Sequence, residues 1–269
     1  MTKNTARGPF RRLADGLAKG LNAQTLIRCL GMPFQRLLDH VGATHEFLTE
    51  QGFRILENDG WREAAKFCRN HRLAIVDGNY WADTFWKNAT HHLNPRTKRG
   101  LWVWPAANDQ LRNWFNLAVS LWVRGKIEKA AHALGSCLHI VQDCCQPYHS
   151  NCVIFGGHQK YEVWADAHKE EFPVERGGIY RFSGKPEDWA KDNAEFSSSF
   201  LSEVACQLPD EEDRRRAATE VLLGRAQRTT AGFIMFFLDR VRSASLARQC
   251  PQQDLSFLEA LLTRQGNGL

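Results

Sequence analysis

Two pairs of residues in this 269-residue chain have spacings suited to chemistry: His139 with Asp143, and His158 with Glu162. On a helix each pair is one turn apart, so its two side chains converge on one point. His149 lies between the pairs, just past Pro147, and an upstream stretch carries Asp83 and the run Thr90-His91-His92. Imidazoles and carboxylates at this density, with no CxxC pair, point to an open catalytic zinc bound by nitrogen and oxygen. They argue against a structural zinc held by four cysteines. One HxxxD or HxxxE pair alone carries little weight, because short motifs recur by chance. The inference rests on two pairs coinciding with a His/Asp loop, and a cluster of this ligand count has room for more than one ion. His40, His71, His132 and His168 are read as surface or hydrogen-bonded histidines.

Helices must position these groups. Helical periodicity dominates and alternating strand patterns are nearly absent. The spacing predicts helices over 34–57, 61–69, 109–124, 127–146, 158–171, 186–207, 211–224 and 225–247, with Gly125 and Pro147 as breaks. Between Asp77 and Pro105 the pattern gives way to a loop punctuated by Gly, Asn and Pro. Its aromatic residues Trp81, Phe85, Trp86, Trp102 and Trp104 argue for order. Burial as core is the first expectation for them, and a lipid-docking rim is the second. Phe233, Phe236, Phe237 and Leu238 are expected in the core. The fold class expected is all-α, a single-domain helical bundle with side chains from facing helices lining a metal site.

Composition excludes several classes. The proportions are those of an ordinary globular protein, with 43% hydrophobic and 24% charged residues. The longest apolar run, Phe233 to Leu238, is far too short for a membrane span. The formal charge of +5 is small and dispersed, and Arg214–Arg216 follows directly on Glu211–Asp213; specific nucleic-acid binding is not expected. The eight cysteines read as mostly reduced core thiols without a disulfide framework. Residues 1–30 are basic but lack the apolar core of a signal peptide, which favours a cytoplasmic over a secreted protein.

The chain resembles the bacterial zinc-dependent phospholipases C, and more distantly the zinc-dependent single-strand nucleases of the P1 type. The similar segments run in order: Thr44-His45-Glu46; Gly78 to Asp83; Ala89 to Pro95; Ala133-Leu-Gly135 through His139 to Asp143 and Gln146 to His149; Gly157 to Glu162; and Ala226 to Ile234. The resemblance implies an all-helical catalytic domain with two to three zinc ions. Asp83, His91, His139 and Asp143 would hold one ion, and His149, His158 and Glu162 a second. His45 and a bridging Asp143 would hold a third, which family members complete with a processed N-terminal Trp. No Trp precedes His45 here, so water or a neighbour such as Asp39 or His40 is the expected substitute.

The implied reaction is hydrolysis of a phosphodiester, with Asp83 as the catalytic group that orients or deprotonates the attacking water. The expected activity is that of a phospholipase C, cleaving glycerophospholipids to diacylglycerol and a phosphorylated headgroup, with peripheral membrane contact. A nuclease or small-molecule phosphodiesterase on the same site is the alternative, and a nonenzymatic metal-binding helical protein comes third. The expected organisation is a basic segment at 1–30, a catalytic domain at 31–247 and a tail at 248–269.

Overall fold

The computed structural model describes residues 43–181, 184–205 and 211–249. The basic segment at 1–30, the first part of the helix expected from Phe34, Asp39 and His40, and nearly all of the expected tail lie outside the described residues. The described chain folds into α1 (Ala43–Asn58), α2 (Arg62–Asn70), α3 (Arg72–Ala82), α4 (Ala107–Val123), α5 (Ile127–Asp143), α6 (Pro147–Ser150), α7 (His158–His168), α8 (Pro186–Ser197), α9 (Leu201–Val204) and α10 (Glu212–Gln249). Short 3-10 turns cover Phe85–Thr90, Lys169–Glu171 and Ser198–Phe200. No strand occurs among the described residues, only an isolated bridge between Asn94 and Arg99. The all-α expectation stands.

Helix α5 is the axis. From Ala130 to Asp143 every residue except His132 is buried, so neighbours cover it on all sides. Helices α3 and α4 make its broadest contacts, and α10 packs on both α1 and α5. The core holds Phe115 between Phe236 (ring centroids 5.2 Å), Phe233 (5.7 Å) and Phe237 (6.1 Å), with Trp189 edge-on to Phe233. Burying each such side chain stabilises the fold by about 1.5–3 kcal/mol. Phe233, Phe236 and Phe237 are fully buried, as the sequence suggests, and Leu238 partly so.

Several boundaries differ from the sequence reading, each for a tertiary reason. The helical pattern was expected to lapse at Asp77, yet α3 runs to Ala82. Gly78 there is a close-approach residue: a Cβ on it would lie 1.8 Å from the His132 carbonyl oxygen. Asn79 directs its amide across the core to Thr49 and Gln142. Helix α5 ends at Asp143 rather than Gln146, because Gln146 caps α6: its side chain accepts from Tyr148 N and His149 N, with Pro147 in the first turn. The helix expected over 186–207 breaks after Ser197, where the Ser197 hydroxyl donates to Cys144 O (2.7 Å) and Asn151 Nδ2 donates to Ser198 O (2.9 Å). Helix α7 stops at His168, short of Glu171. The two helices expected at 211–224 and 225–247 are one, of 38 residues. Gly224 costs that helix about 1 kcal/mol relative to Ala, but Leu222, Leu223 and Ala226 are buried on either side of it and hold it straight through.

Candidate metal centre

Asp143, the last residue of α5, is buried and ringed by imidazoles. Its Oδ2 lies 2.8 Å from His91 Nδ1, 3.0 Å from His139 Nε2 and 3.7 Å from His149 Nδ1, and its Oδ1 lies 3.2 Å from His45 Nε2. Burial opposes ionisation, but His149, His139 and His45 hold its carboxyl well below the usual carboxylate range. Asp83 caps the C-terminus of α3, with its Oδ1 3.8 Å from His139 Nε2 and 4.0 Å from His91 Nδ1. Thus α1, α3, α5 and the 3-10 turn each bring one or more of these groups to the same place. The ring of His45 also stacks on that of His139, centroids 4.0 Å apart.

Buried amides set the orientation of two of these rings. Gln142 Nε2 donates to Thr49 Oγ1 (3.1 Å) and Thr230 Oγ1 (3.2 Å), so its Oε1 is the acceptor for Asn79 Nδ2 (3.2 Å) and His45 Nδ1 (2.8 Å). Asn79 Nδ2 also reaches Thr49, which leaves Asn79 Oδ1 to accept from His139 Nδ1 at 3.1 Å. With its proton on Nδ1, neutral His139 presents the Nε2 lone pair to Asp143 Oδ2. Burial, with His45 adding to it, lowers the His139 pKa to about 4, so the ring stays neutral near pH 7. Two acceptors facing each other at 3.0 Å suit a cation between them, and a ligating histidine held by a hydrogen bond from its other nitrogen is the usual arrangement in metal sites. Nitrogen and carboxylate donors in this number fit zinc.

A second group lies across Asp143. His149 Nε2 is 3.3 Å and His158 Nε2 2.8 Å from Glu162 Oε1. The ring of His92 stacks on that of His149 at 4.5 Å, and single nitrogens of His92, His149 and His158 lie within 4.8 Å of one another. Asp83 with His91 and His139, and His45 with His139 and Asp143, form two further groups within the same distance. Each of these groups contains nitrogen or oxygen atoms that are buried without an aligned hydrogen-bond partner: both ring nitrogens of His91 and His92, His139 Nε2, Asp143 Oδ2, His149 Nδ1 and His158 Nε2. Such atoms are rare in native proteins and call for an explanation; a bound cation is one that serves all of them.

A family model described as "Zinc dependent phospholipase C" matches residues 44–207, more than half of the chain and a span that includes the whole cluster. The chain belongs to this family. A phospholipase C of Clostridium perfringens is 28% identical over 241 residues, covering 74% of this chain and 59% of that protein. A phospholipase C of Bacillus cereus is 27% identical over 197 residues, covering 62% of this chain and 70% of that protein. The solved structure of the alpha toxin from Clostridium absonum matches with a TM-score of 0.65 at 22% identity, over 74% of this chain and 63% of that one, a likeness that shows the fold. The chain therefore spans about three fifths of the length of these two clostridial proteins.

All eight side chains singled out in the sequence as zinc-dependent phospholipase C ligands, His45, Asp83, His91, His139, Asp143, His149, His158 and Glu162, are brought to this one region. His92 has no role in the ligand set expected from the sequence, although the His91-His92 doublet is visible there, and the orienting amides Asn79 and Gln142 are likewise absent from that set. For Gln142 a signal existed, an amide beside Asp143 on the ligand-bearing helix. Three of the four histidines set aside as surface or hydrogen-bonded are described, and all have partners: His71 with Glu128, His132 with Asp77, and His168 with the Trp164 carbonyl. The described cysteines are free, with Cys68, Cys137, Cys144 and Cys145 buried. The expectation of a buried aromatic loop is corrected. Only Trp104 is core, whereas Trp81, Trp86, Phe85 and Trp102 are exposed, the last two at 62% and 71%. Phe85 and Trp102 take positive φ of 59° and 50°, a conformation that carries a steric cost for a residue with a Cβ.

Proposed function

We propose that this chain is a phospholipase C that hydrolyses glycerophospholipids to diacylglycerol and a phosphorylated headgroup, using two to three zinc ions. The observation that carries this reading is the convergence of Asp83, His91 and His139 on Asp143 inside the segment that matches the zinc-dependent family. Asp83, His91, His139 and Asp143 are assigned to one ion, His149, His158 and Glu162 to a second, and His45 with Asp143 to a third. Zinc held by these residues would supply positive charge to the phosphodiester oxygens and would lower the pKa of a bound water from 15.7 to about 7.

The two carboxylates among the imidazoles differ in access. The Asp143 side chain is 6% exposed and is committed to three or more rings, whereas that of Asp83 is 30% exposed. Asp83 is therefore the group placed to orient a water that arrives from solvent and to accept its proton. Support for a lipid comes from the same loop. Trp81, Phe85 and Trp86, which flank Asp83 in sequence, and Trp102 further along the same loop expose apolar surface, and Trp favours the bilayer interface.

The full chain, loaded with zinc, should be assayed in parallel on phosphatidylcholine, phosphatidylethanolamine, single-stranded DNA and a chromogenic phosphodiester. We expect lipid turnover that a chelator abolishes and zinc restores. Faster cleavage of the DNA would assign the site to a nuclease, and turnover indifferent to chelator would remove the metal from the reaction.

A further inference from the structure

The proposed ligand set leaves one buried histidine without a task. His92 is 4% exposed, and neither ring nitrogen has a hydrogen-bond partner. An imidazole removed from water and left unpaired costs about 1–3 kcal/mol, so a fold that keeps it needs something in return. Its surroundings name the candidate. The ring lies face to face with His149, at 4.5 Å and 11° between planes, and edge-on to His158 at 6.3 Å. One of its nitrogens lies within 4.8 Å of donor nitrogens on both. Zinc–nitrogen bonds of 2.0–2.1 Å set tetrahedral donors roughly 3.3 Å apart, so the three donors stand at most about 1.5 Å wider than that spacing.

The backbone around His92 is built to hold it there. Its carbonyl accepts from Ala107 N at 3.0 Å, which ties it to the start of α4, and the next residue, Leu93, donates from its N–H to the His149 carbonyl at 3.2 Å. The loop bearing His92 is thus fastened directly to the helix bearing His149.

We propose that His92 is a fourth protein ligand of the metal assigned to His149, His158 and Glu162, giving that site three imidazoles and one carboxylate. The inference rests on the zinc reading of the cluster but adds to it. Three protein donors leave a zinc site open, whereas four close it in the manner of a structural site. The second ion in this chain is then the one that exchanges slowly with a chelator.

The direct test uses wild-type protein reconstituted with ¹¹³Cd and labelled with ¹⁵N-histidine, in which each ligating nitrogen couples to its metal. The expected result is one cadmium coupled to nitrogens of three histidines, His92 among them. A second measurement titrates metal-free His92→Gln and His158→Ala with zinc against a competing chelator. His92→Gln should weaken one ion by about 100-fold or more, at or beyond the top of the 10–100-fold range for losing an outer partner of a ligand. If His92 shows no coupling and His92→Gln binds as much zinc, as tightly, as wild type does, while His158→Ala loses one ion, His92 is not a ligand and the proposal fails. If His158→Ala also loses nothing, the zinc assignment itself has failed. The cadmium spectrum decides even where the variants do not fold.

Discussion

Gly135→Ala tests whether the α3/α5 crossing positions the site. Gly135 faces the backbone of α3, and a Cβ there would lie 1.9 Å from Ile75 O and 2.9 Å from Asn79 N. The partner glycine, Gly78, meets the His132 carbonyl just as closely, so neither helix can yield by moving a side chain. Bringing 1.9 Å to an acceptable 3.0 Å parts the backbones by roughly 1 Å, which costs about 1–3 kcal/mol as overpacking. Alanine recovers only about 0.5–1 kcal/mol of helix propensity. The same separation stretches the 3.1 Å bond from His139 Nδ1 to Asn79 beyond useful length, adding about 1 kcal/mol. The net expectation is a loss of about 1–3.5 kcal/mol, or a Tm lower by roughly 2–14 °C, together with weaker zinc retention. Gly224→Ala is the control, since its Cβ would meet only Val174 at 3.7 Å inside α10. That variant should gain about 0.5–1 kcal/mol. Thermal unfolding of both proteins decides the matter, and if Gly135→Ala proves as stable as wild type, or both variants shift in the same direction, the close-approach argument is refuted.

Asp83→Asn should lower kcat by about 10²–10⁴-fold with little change in substrate binding; zinc content measured on the same sample separates loss of proton transfer from loss of metal, and wild-type turnover would remove Asp83 from the reaction. Phe85→Ser combined with Trp102→Ser should reduce partition onto phosphatidylcholine vesicles by about 10²-fold or more, given about 1.5–3 kcal/mol for each large apolar side chain buried; unchanged sedimentation with vesicles would contradict the docking role. Asp59 accepts hydrogen bonds from Gly177 N, Gly178 N and Tyr180 Oη. Burial opposes its ionisation, but Tyr180 and the two backbone donors bring its pKa below 3.8. Its contribution is therefore complete above the unfolded carboxylate pKa near 3.9 and is lost as pH falls through the lower folded value. In urea unfolding, Asp59→Asn should cost about 1 kcal/mol at pH 7 and less near pH 3; a penalty that does not shrink in acid would show that the charge is irrelevant.

The parts of this fold that could be read from the sequence are those governed by local rules. His139 and Asp143 four apart on an apolar helix, Pro147 as a stop, and His158 with Glu162 follow from helical geometry alone, and these fix most of the site. Gly78 and Asn79 read as loop formers because their local preference is for turns. The structure places them in a helix because one is needed for close approach and the other for a hydrogen bond across the core. Gly224 misleads for the same reason, with packing on both sides outweighing its local cost. His92 was hidden beside His91, since sequence spacing gives no way to tell which member of a doublet turns inward, and both do. The aromatic loop departs from the average burial of its residue types: Phe85 and Trp102 are held at positive φ, and nothing local in the sequence marks Trp81 and Trp86 as exposed.

The hydrogen bond between His45 and Gln142 joins residues 97 apart in sequence, and the rest of the centre spans α1, α3, α5 and α7. A hairpin of α4 and α5, closed by the short turn at Gly125, needs only local contacts. Long-range contacts of the His45 kind add loop-closure entropy to the barrier and depend on helices far apart in the chain. A nascent or partly unfolded chain therefore carries its histidines and carboxylates as separated, solvated side chains. On the proposed zinc reading, the centre is therefore assembled only in the completed tertiary structure, and any chemistry it performs begins there.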